Sequence, residues 1–297
     1  MTEPSSGGQT VIVGIDGSPG SGVALAWALE HADRLGRVVP VAAFVAGPFE
    51  YGFGTSSGIR GTGEPYRSEA EMMLSKFLEV HAPALADTGI VVERHVGPGL
   101  VEAAERSELL VLGTRGWGAR QDLSVGSVGA YCARHARVPV ALIPHDVPPA
   151  GDRLSVVVGV DGSAHAARAL RWTLQHLRLT AEVIALRAVQ EGPVAGDPLS
   201  ATTETAEARA YGALEDDVAA VLADLDGHPG VKLLAASGDP RDVLGTAVPD
   251  ADLLVVGARG HGLVHRLLLG SVSTALTHHP TLPTIVVPDG KGEDGAS

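Results

Sequence analysis

Short apolar runs alternate with amphipathic segments along most of the chain. Residues 10–15 are apolar enough to form one buried strand, and residues 21–35 place apolar side chains on one side of a predicted helix. The other elements predicted in the first half are strands at 38–45, 90–95, 109–112 and 139–143 and helices at 69–84, 99–106 and 128–135. Near-continuous apolar strands that alternate with helices predict an α/β fold, in which helices cover both faces of a parallel sheet.

The chain contains an internal repeat. Residues 11–18 read VIVGIDGS and residues 156–163 read VVVGVDGS, an offset of 145 residues. Later features, such as His135-x3-Pro139 and His279-x3-Pro283, are offset by 144 residues, so the second copy has lost one residue, and we predict the loss near Thr180. The chain is therefore a tandem duplication.

The repeat predicts two domains of ordinary size. Pro148, Pro149 and Gly151 interrupt any regular element between the copies. The expected organisation is a disordered tail at 1–9, a first domain at 10–146, a second domain at 153–288 and a disordered tail at 289–297. The third helix of the second half is predicted at 240–248. Up to the glycine loop it is expected to be three residues longer than its counterpart, because Gly238 to Gly257 is 19 positions whereas Gly97 to Gly113 is 16.

Each half contains a loop with the spacing Gly-x2-Gly-x9-Gly-Ser, between an apolar strand and a predicted helix. The copies are Gly113, Gly116, Gly126 and Ser127, and Gly257, Gly260, Gly270 and Ser271. Glycine lets backbone N–H groups approach an anion, and a helix start adds unpaired donors and a positive dipole end. The loops therefore predict phosphate binding. Neither has the GK[ST] ending of a Walker loop, and no G-x-G-x-x-G follows the first strand.

An aspartate follows the first strand of each half, Asp16 in one and Asp161 in the other. In open parallel sheets, ligands bind at the carboxyl ends of the strands where the strand order reverses, and the glycine loop ends there too. A carboxylate at this point can hold a ribose hydroxyl or a metal ion on a triphosphate. The hydroxyl of Ser127 or Ser271 can bind phosphate oxygens.

Each of these residues also has a purely structural interpretation. The aspartates could cap the following helices, and the glycines could serve only tight turns. Arg115 and Arg259 either neutralise phosphate or are solvated surface residues. Four histidines resemble a metal site by number, but no cysteine or carboxylate is interleaved at ligand spacing, which favours structural or exposed roles. They are His261, His265, His278 and His279.

Composition narrows the class of protein. The net charge of −13 argues against nucleic acid as a partner, because binding a polyanion needs clustered Lys and Arg. Cys132 is the single cysteine, which excludes an intrachain disulfide and suits a reducing cytoplasm. The first residues lack the pattern of a secretory signal, and no apolar run is long enough to span a bilayer. We therefore expect a cytoplasmic protein with no membrane partner.

At these motifs the sequence resembles the universal stress protein family, in its tandem-domain, ATP-binding branch. The resemblance covers residues 11–287 and rests on VGIDGS at 13–18, VGVDGS at 158–163 and both complete glycine loops. It implies two Rossmann-like domains of the adenine nucleotide alpha hydrolase type, each with a five-stranded parallel sheet in the order 3-2-1-4-5. It also implies one ATP per domain between strands one and four, and pairing of domains or of a homodimer through the last strand, at Val140 or Ile285.

The resemblance assigns nucleotide contacts position by position. In the first half these are Ile15, Asp16, Gly17, Ser18, Phe44, Gly113, Arg115, Gly116, Gly126, Ser127 and Val128. In the second half they are Val160, Asp161, Gly162, Ser163, Ala188, Gly257, Arg259, Gly260, Gly270, Ser271, Val272 and Ser273.

Within these sets, Asp16 and Asp161 would contact ribose or Mg²⁺, and main chain near Phe44 and Ala188 would read adenine. Ser273 adds a hydroxyl where the first half has Gly129. A neutral hydrogen bond contributes about 0.5–1.5 kcal/mol, so the second site is expected to bind more strongly.

The function implied is a nucleotide-dependent regulator of stress response or growth that acts on an unidentified protein partner. Slow or absent hydrolysis is expected, and no catalytic residue is assigned, because no convincing general base accompanies the loops. The alternative is an ATPase or nucleotidyl-transfer enzyme that uses Mg-ATP. A third interpretation is a structural interaction module without nucleotide.

Overall fold

The computed structural model describes residues 9–45, 64–114, 116, 126–147, 154–177, 181–189, 203–225, 230–246, 248, 251–260, 269–278 and 281–289. The chain divides into two compact units, Met1–His145 and Asp146–Ser297.

The first unit is built on a parallel sheet in the order β3-β2-β1-β4-β5. Its strands are β1 (Thr10–Gly14), β2 (Arg37–Phe44), β3 (Ile90–Glu93), β4 (Leu109–Gly113) and β5 (Val140–Ile143). Its helices are α1 (Pro19–Glu30), α2 (Ala32–Leu35), α3 (Glu64–His81), α4 (Val96–Ala103) and α5 (Ser127–His135), with a short 3-10 helix at Pro83–Leu85.

The second unit repeats this plan, with its sheet in the order β8-β7-β6-β9-β10. Its strands are β6 (Leu154–Gly159), β7 (Ala181–Val189), β8 (Val231–Ser237), β9 (Leu253–Gly257) and β10 (Thr284–Val287). Its helices are α6 (Ala164–His176), α7 (Thr203–Leu222), α8 (Pro240–Thr246) and α9 (Ser271–His278). The α/β class and the strand order 3-2-1-4-5 are confirmed in both units.

Helices cover both faces of the sheet, as the apolar strands predict. In the first unit α1 contacts α3, and α4 contacts α5. Neighbouring residues of β2 show that these pairs lie on opposite faces, because Ala43 meets Gly99 of α4 whereas Phe44 lies under Arg67 of α3. None of the described helices is long and apolar enough to cross a bilayer.

The core of each unit is aliphatic. Residues 109–112 of β4 and 140–143 of β5 are all buried, as are 253–256 of β9 and 284–287 of β10. A strand that is covered on both faces has no solvent side, so its apolar run is continuous and not alternating. Each fully buried Val or Leu side chain contributes about 1.5–3 kcal/mol through removal of its surface from water.

The helix predicted at 21–35 is interrupted at His31. The His31 ring stacks on Trp27 with centroids 4.4 Å apart, and its Nδ1 donates to the Trp27 carbonyl at 2.8 Å. The backbone of His31 leaves the helical region, with φ −103° and ψ 8°. The apolar spacing continues across this break, so the pattern alone did not reveal two helices.

The predicted loss of a residue near Thr180 is wrong. Gly14 of β1 pairs with Val41 of β2, and Gly159 of β6 pairs with Leu186 of β7. Both members of the second pair are offset by 145 residues from the first. The two copies are therefore still in the original register after their second strands.

The residue is lost between the second and third strands. Val41 pairs with Ile90 of β3, whereas its equivalent Leu186 pairs with Leu234 of β8, and the third strands are offset by 144 residues. Helices α4 and α8 begin at 96 and 240, the same offset. The three extra residues expected in the second half do not exist, because Gly238 is equivalent to Arg94 and not to Gly97.

Cys132 provides a test of this packing. Its side chain is fully buried in α5, 3.8 Å from the Gly97 carbonyl, and burial raises the pKa of the thiol to about 12. Since the thiolate is the reactive form, we expect labelling by iodoacetamide at pH 8 to be roughly a thousandfold slower in the native protein than in guanidinium chloride. Mass spectrometry of timed samples measures this, and fast native labelling would show that α5 is not packed as described.

Candidate functional site

A tight turn follows the first strand of the first unit. Asp16 Oδ1 accepts a hydrogen bond from Ser18 N at 2.9 Å, and Ser18 Oγ accepts one from Ser21 N at 3.2 Å. Gly17 lies between them with φ 77°, a conformation that favours glycine. Ser18 is the N-cap of α1, so its buried hydroxyl has a structural role.

The second unit has the same turn. Asp161 Oδ1 accepts from Ser163 N at 2.9 Å, Ser163 Oγ accepts from Ala166 N at 3.2 Å, and Gly162 has φ 87°. Ser163 caps α6. The interpretation of the aspartates as helix caps is therefore wrong, since the serine performs this role in both units.

The strand-end carboxylate faces the second glycine of the loop in both units. A Cβ atom at position 116 would lie 2.6 Å from Asp16 Oδ2, and one at position 260 would clash with Asp161 Oδ2. Neither glycine has a positive φ. Close approach, and not the conformation of a turn, is therefore what requires glycine at Gly116 and Gly260.

The first glycine of each loop lets the following helix pack on the strand end. A Cβ at Gly257 would lie 2.7 Å from the carbonyl carbon of His165 in α6, and one at Gly113 would clash with the carbonyl oxygen of Gly20 in α1. The close packing of strand and helix brings the start of the helix and the glycine loop to one edge of the sheet.

A backbone hydrogen bond closes the base of each loop. Gly126 N donates to Thr114 O at 3.0 Å, and Gly270 N donates to Ala258 O at 2.9 Å. Helices α5 and α9 begin at the next residue, Ser127 and Ser271, which are both exposed. The first N–H groups of a helix have no partner within the helix, so each loop ends on donors that can bind an anion.

A cavity of about 280 Å³ lies in the second unit, near the lower end of the usual range for small-molecule sites, about 300–1,000 Å³. Asp161 and Arg259 are the charged residues among its described lining. The other predicted residues that line it are Val160, Ala188, Gly257, Gly260, Gly270, Ser271, Val272 and Ser273. Gly162 and Ser163 were predicted but do not line it.

The sequence did not predict the apolar floor of this cavity. Leu186, Leu244 and Val256 line it, together with Gly159, Ala166 and Pro240. A Cβ at Gly159 would lie 3.2 Å from Leu244 and 3.3 Å from Val256, so glycine leaves room for the floor. Leu186 is two residues before Ala188 in β7, and alternate residues of a strand lie on the same face, so the sequence could have predicted that Leu186 lines the cavity with Ala188.

In the first unit, side chains lie closer to the equivalent glycine than they do in the second unit. A Cβ at Gly14 would lie 2.5 Å from Leu112 and 3.1 Å from Leu100. Leu112 is equivalent to the smaller Val256 of the second unit, so the two floors differ in size.

Phe44 and Ala188, which we expected to be equivalent, are not. Arg94 N donates to Phe44 O at 2.7 Å, and Gly238 N donates to Val189 O at 2.9 Å. Val189 is therefore the counterpart of Phe44, and Ala188 corresponds to residue 43.

The side chain of Phe44 lies on the face of the sheet that α3 covers. Arg67 of α3 is 5.7 Å from the centre of its ring. Since Ala188 lines the cavity, the equivalent wall in the first unit belongs to Ala43, which faces α4. Ile15 and Val160 join the strand ends through their main chain, with N–H groups that donate to Val41 O and Leu186 O.

The hydroxyl of Ser273 has an internal acceptor. Ser273 Oγ donates to Gly257 O at 2.6 Å, and the residue is only 4% exposed. Its proton joins α9 to the end of β9 and does not point to a ligand. The expected preference for the second site, which depended on this hydroxyl, therefore loses its physical basis.

Asp289, which was predicted to begin a disordered tail, is paired with three basic side chains. Its Oδ2 lies 3.0 Å from Arg259 Nη2, and its Oδ1 lies 2.5 Å from His165 Nε2 and 3.5 Å from Arg168 Nη1. For this residue the prediction is wrong, because the carboxylate belongs to the edge of the site. No short-range pattern linked it to partners in α6 and the glycine loop.

Some predicted residues lie outside the described part of the chain. These are Arg115, His261, His265 and His279, and the side chain of His278. Among the described residues, no group of three or more His, Cys, Asp or Glu side chains could hold a metal ion. A Mg²⁺ ion at Asp16 or Asp161 stays a prediction.

The family assignment follows from comparison with known proteins. A model of the universal stress protein family matches residues 8–144 and again residues 154–288. The chain belongs to the universal stress protein family. The resemblance seen in the strand ends and glycine loops is thus confirmed, and the double match agrees with a tandem duplication.

Two tandem relatives and one solved structure illustrate the similarity. Universal stress protein Rv1996 of Mycobacterium tuberculosis is 30% identical, with 93% of this chain and 94% of the relative covered. A universal stress protein of Mycolicibacterium smegmatis is 26% identical, with 93% and 96% covered. The crystal structure of a universal stress protein from Archaeoglobus fulgidus has a TM-score of 0.64 at 20% identity over 95% of this chain and 98% of that one, a similarity of fold.

The capping role of the serines can be tested by removing each hydroxyl. Ser18→Ala or Ser163→Ala should lower the free energy of unfolding by about 1 kcal/mol, the usual cost of losing an N-cap. Ser271→Ala is the control, because this serine is exposed at the start of α9. Urea unfolding measures all three variants. Equal stability of Ser163→Ala and Ser271→Ala would contradict the role assigned to Ser163.

Proposed function

We propose that this universal stress protein binds ATP in each unit and acts as a nucleotide-dependent regulator of stress response or growth. The observation that carries the proposal is the approach of Asp161 Oδ2 to Gly260 at the edge of the cavity. It brings a carboxylate, a glycine main chain and a helix start to one point, which suits a ligand that carries both sugar hydroxyls and phosphates.

The lining of the cavity separates into two chemical halves. Arg259, Ser271 and the first N–H groups of α9 are suited to phosphate oxygens, since guanidinium and helix-start donors favour anions. Leu186 and Leu244 offer an apolar wall for a base. Between the halves, Asp161 would hold the ribose or a Mg²⁺ ion that the phosphates share.

The same main-chain arrangement in the first unit is the reason to propose a second nucleotide site there. Asp16 and Gly116 approach each other as Asp161 and Gly260 do, and Gly126 closes its loop in the same way. Gly113, Ser127 and Val128 complete the proposed phosphate track of this unit.

Slow or absent hydrolysis is the expected behaviour. Asp161 is the only carboxylate among the described residues that line the cavity, and its Oδ1 already accepts a hydrogen bond from Ser163 N. A general base must reach the proton that it removes, and a carboxylate held in a turn is a poor candidate for activating water.

An ATPase or nucleotidyl-transfer enzyme is the second candidate. The observation in its favour is that Asp161 and Arg259 line one cavity, because a carboxylate for Mg²⁺ and a guanidinium for phosphate are components of phosphoryl transfer. Such an enzyme would need further groups from a partner protein.

Two measurements on purified protein separate these functions. Mass spectrometry of the supernatant after denaturation identifies any nucleotide carried through purification, and phosphate release at millimolar Mg-ATP gives the turnover rate. We expect bound adenine nucleotide and turnover slower than about 1 per minute, well below the usual range for enzymes. Rapid turnover would favour the enzyme. Absence of nucleotide, together with no calorimetric heat on adding Mg-ATP, would reject nucleotide binding.

Glycine substitutions test the proposed cradle. Gly260→Ala puts a Cβ against Asp161 Oδ2, and Gly116→Ala does the same at Asp16. Because an extra carbon in a packed contact costs about 1–3 kcal/mol, each variant should lose at least about fivefold in ATP affinity in its own unit. Calorimetry should then record one strong site per chain in place of two.

Gly212→Ala is the matched control, since a Cβ at this position in α7 meets no atom within 4 Å. It should retain both sites. Full binding by Gly116→Ala and Gly260→Ala, in variants with unchanged circular dichroism, would contradict the proposed site.

A further inference from the structure

A carboxylate beyond the last strand is held by the basic groups beside the cavity. Asp289 follows β10 by two residues, and its carboxylate joins Arg259, Arg168 and His165. Arg168 Nη1 also donates to the carbonyl of Pro288 at 3.4 Å, so the main chain next to Asp289 is bound as well.

Arg259 belongs both to this cluster and to the cavity. It lines the cavity together with Asp161, and its Nη2 lies 3.0 Å from Asp289 Oδ2. Its side chain is 22% exposed, so the ion pair is partly shielded from water. His165 is held next to the site through the close packing of its main chain on Gly257.

We propose that Asp289 is a built-in competitor for the ligand's phosphates, so that it sets how the second site discriminates between polyphosphate and monophosphate ligands. This inference rests on the proposed function for the identity of the ligand. Asp289 acts through Arg259 and does not contact the ligand itself. Its role is to set which phosphate ligands the second site prefers.

The physical basis is that a carboxylate and a phosphate use the same donors of a guanidinium group. A ligand whose phosphates take the Nη2 donors of Arg259 must displace Asp289, and this cost is the same for every such ligand. A ligand with several phosphates recovers more of the cost, because its other phosphate oxygens can bind Ser271 and the first N–H groups of α9. A ligand that does not reach Arg259 leaves the ion pair intact, so its binding free energy is not reduced.

The first unit lacks this device. The positions equivalent to the three residues that join Arg259 hold neither the acid nor the two basic groups. They are Gly20 for His165, Val23 for Arg168 and His145 for Asp289. The competition should therefore be confined to the second unit, and the first unit serves as an internal reference.

The opposite role for Asp289 would be to hold Arg259 in the position that binds phosphate. The two roles give opposite signs when the charge is removed without a change of shape. If Asp289 competes, Asp289→Asn strengthens the binding of polyphosphates. If it positions Arg259, the same change weakens their binding.

The test uses Gly116→Ala protein, so that the second site is measured alone, with the wild-type background as a parallel series. Asp289→Asn is compared with Asp146→Asn, which makes the same charge change at an exposed residue of the link between the units. Calorimetry with ATP, AMP and inorganic tripolyphosphate gives the affinities. A further pair, Arg259→Gln with and without Asp289→Asn, shows whether the effect passes through Arg259.

We expect Asp289→Asn to bind ATP and tripolyphosphate about fivefold more tightly than Asp146→Asn does, the effect of losing one partly exposed ion pair. AMP should change by less than about twofold. In the Arg259→Gln background, Asp289→Asn should have no effect. Unchanged or weaker binding of both polyphosphates would overturn the inference, as would an equal gain in the Arg259→Gln background.

The tripolyphosphate series keeps this result separate from the proposed function. If ATP binds to no variant, nucleotide binding is rejected, and tripolyphosphate still decides the role of Asp289. Tighter tripolyphosphate binding by Asp289→Asn supports competition for Arg259. Equal binding, or none in any variant, rejects it.

Discussion

The site depends on the contact of a strand-end carboxylate with a glycine of the neighbouring loop. A Cβ at position 260 would clash with Asp161 Oδ2, and each partner is fixed from its own side. Ser163 N holds the other carboxylate oxygen, and Gly270 N closes the glycine loop on Ala258. Because β6 and β9 are adjacent in the sheet, these two anchored segments must meet. The order of the strands thus determines which chemical groups share the site.

Much of this arrangement was predictable because it constrains residue types at fixed spacing. Buried parallel strands require continuous apolar runs, and the close approach of main chain requires glycine at 116 and 260. What the sequence did not reveal depends on the choice of a single partner. Ser273 turns to a carbonyl, and the His31 ring folds back on Trp27. The sequence offset also did not reveal that the counterpart of Phe44 is Val189 and that Ala188 corresponds to residue 43, because the residue is lost only after strand two.

The two units have retained one main-chain cradle and changed the side chains around it. The turn at the aspartate, the closing hydrogen bond and the glycine approach are the same in both. The floor has Leu112 in the first unit and Val256 in the second. If the proposed phosphate binding depends on these backbone donors, both units share it, and differences between the two sites would come from the floor and the charges.

The charge of Asp289 explains a difference in ligand binding between the two sites better than the extra hydroxyl of Ser273 does. The hydroxyl of Ser273 is already donated to Gly257 O, so the absence of a hydroxyl at Gly129 removes no ligand contact. Asp289, in contrast, places a negative charge 3.0 Å from the guanidinium that faces the cavity. The pair is partly exposed, so its effect is similar in size to that of a neutral hydroxyl contact, but it remains a difference between the two sites where the hydroxyl does not. For ligands rich in phosphate, the second site should therefore be the more selective of the two and not simply the stronger.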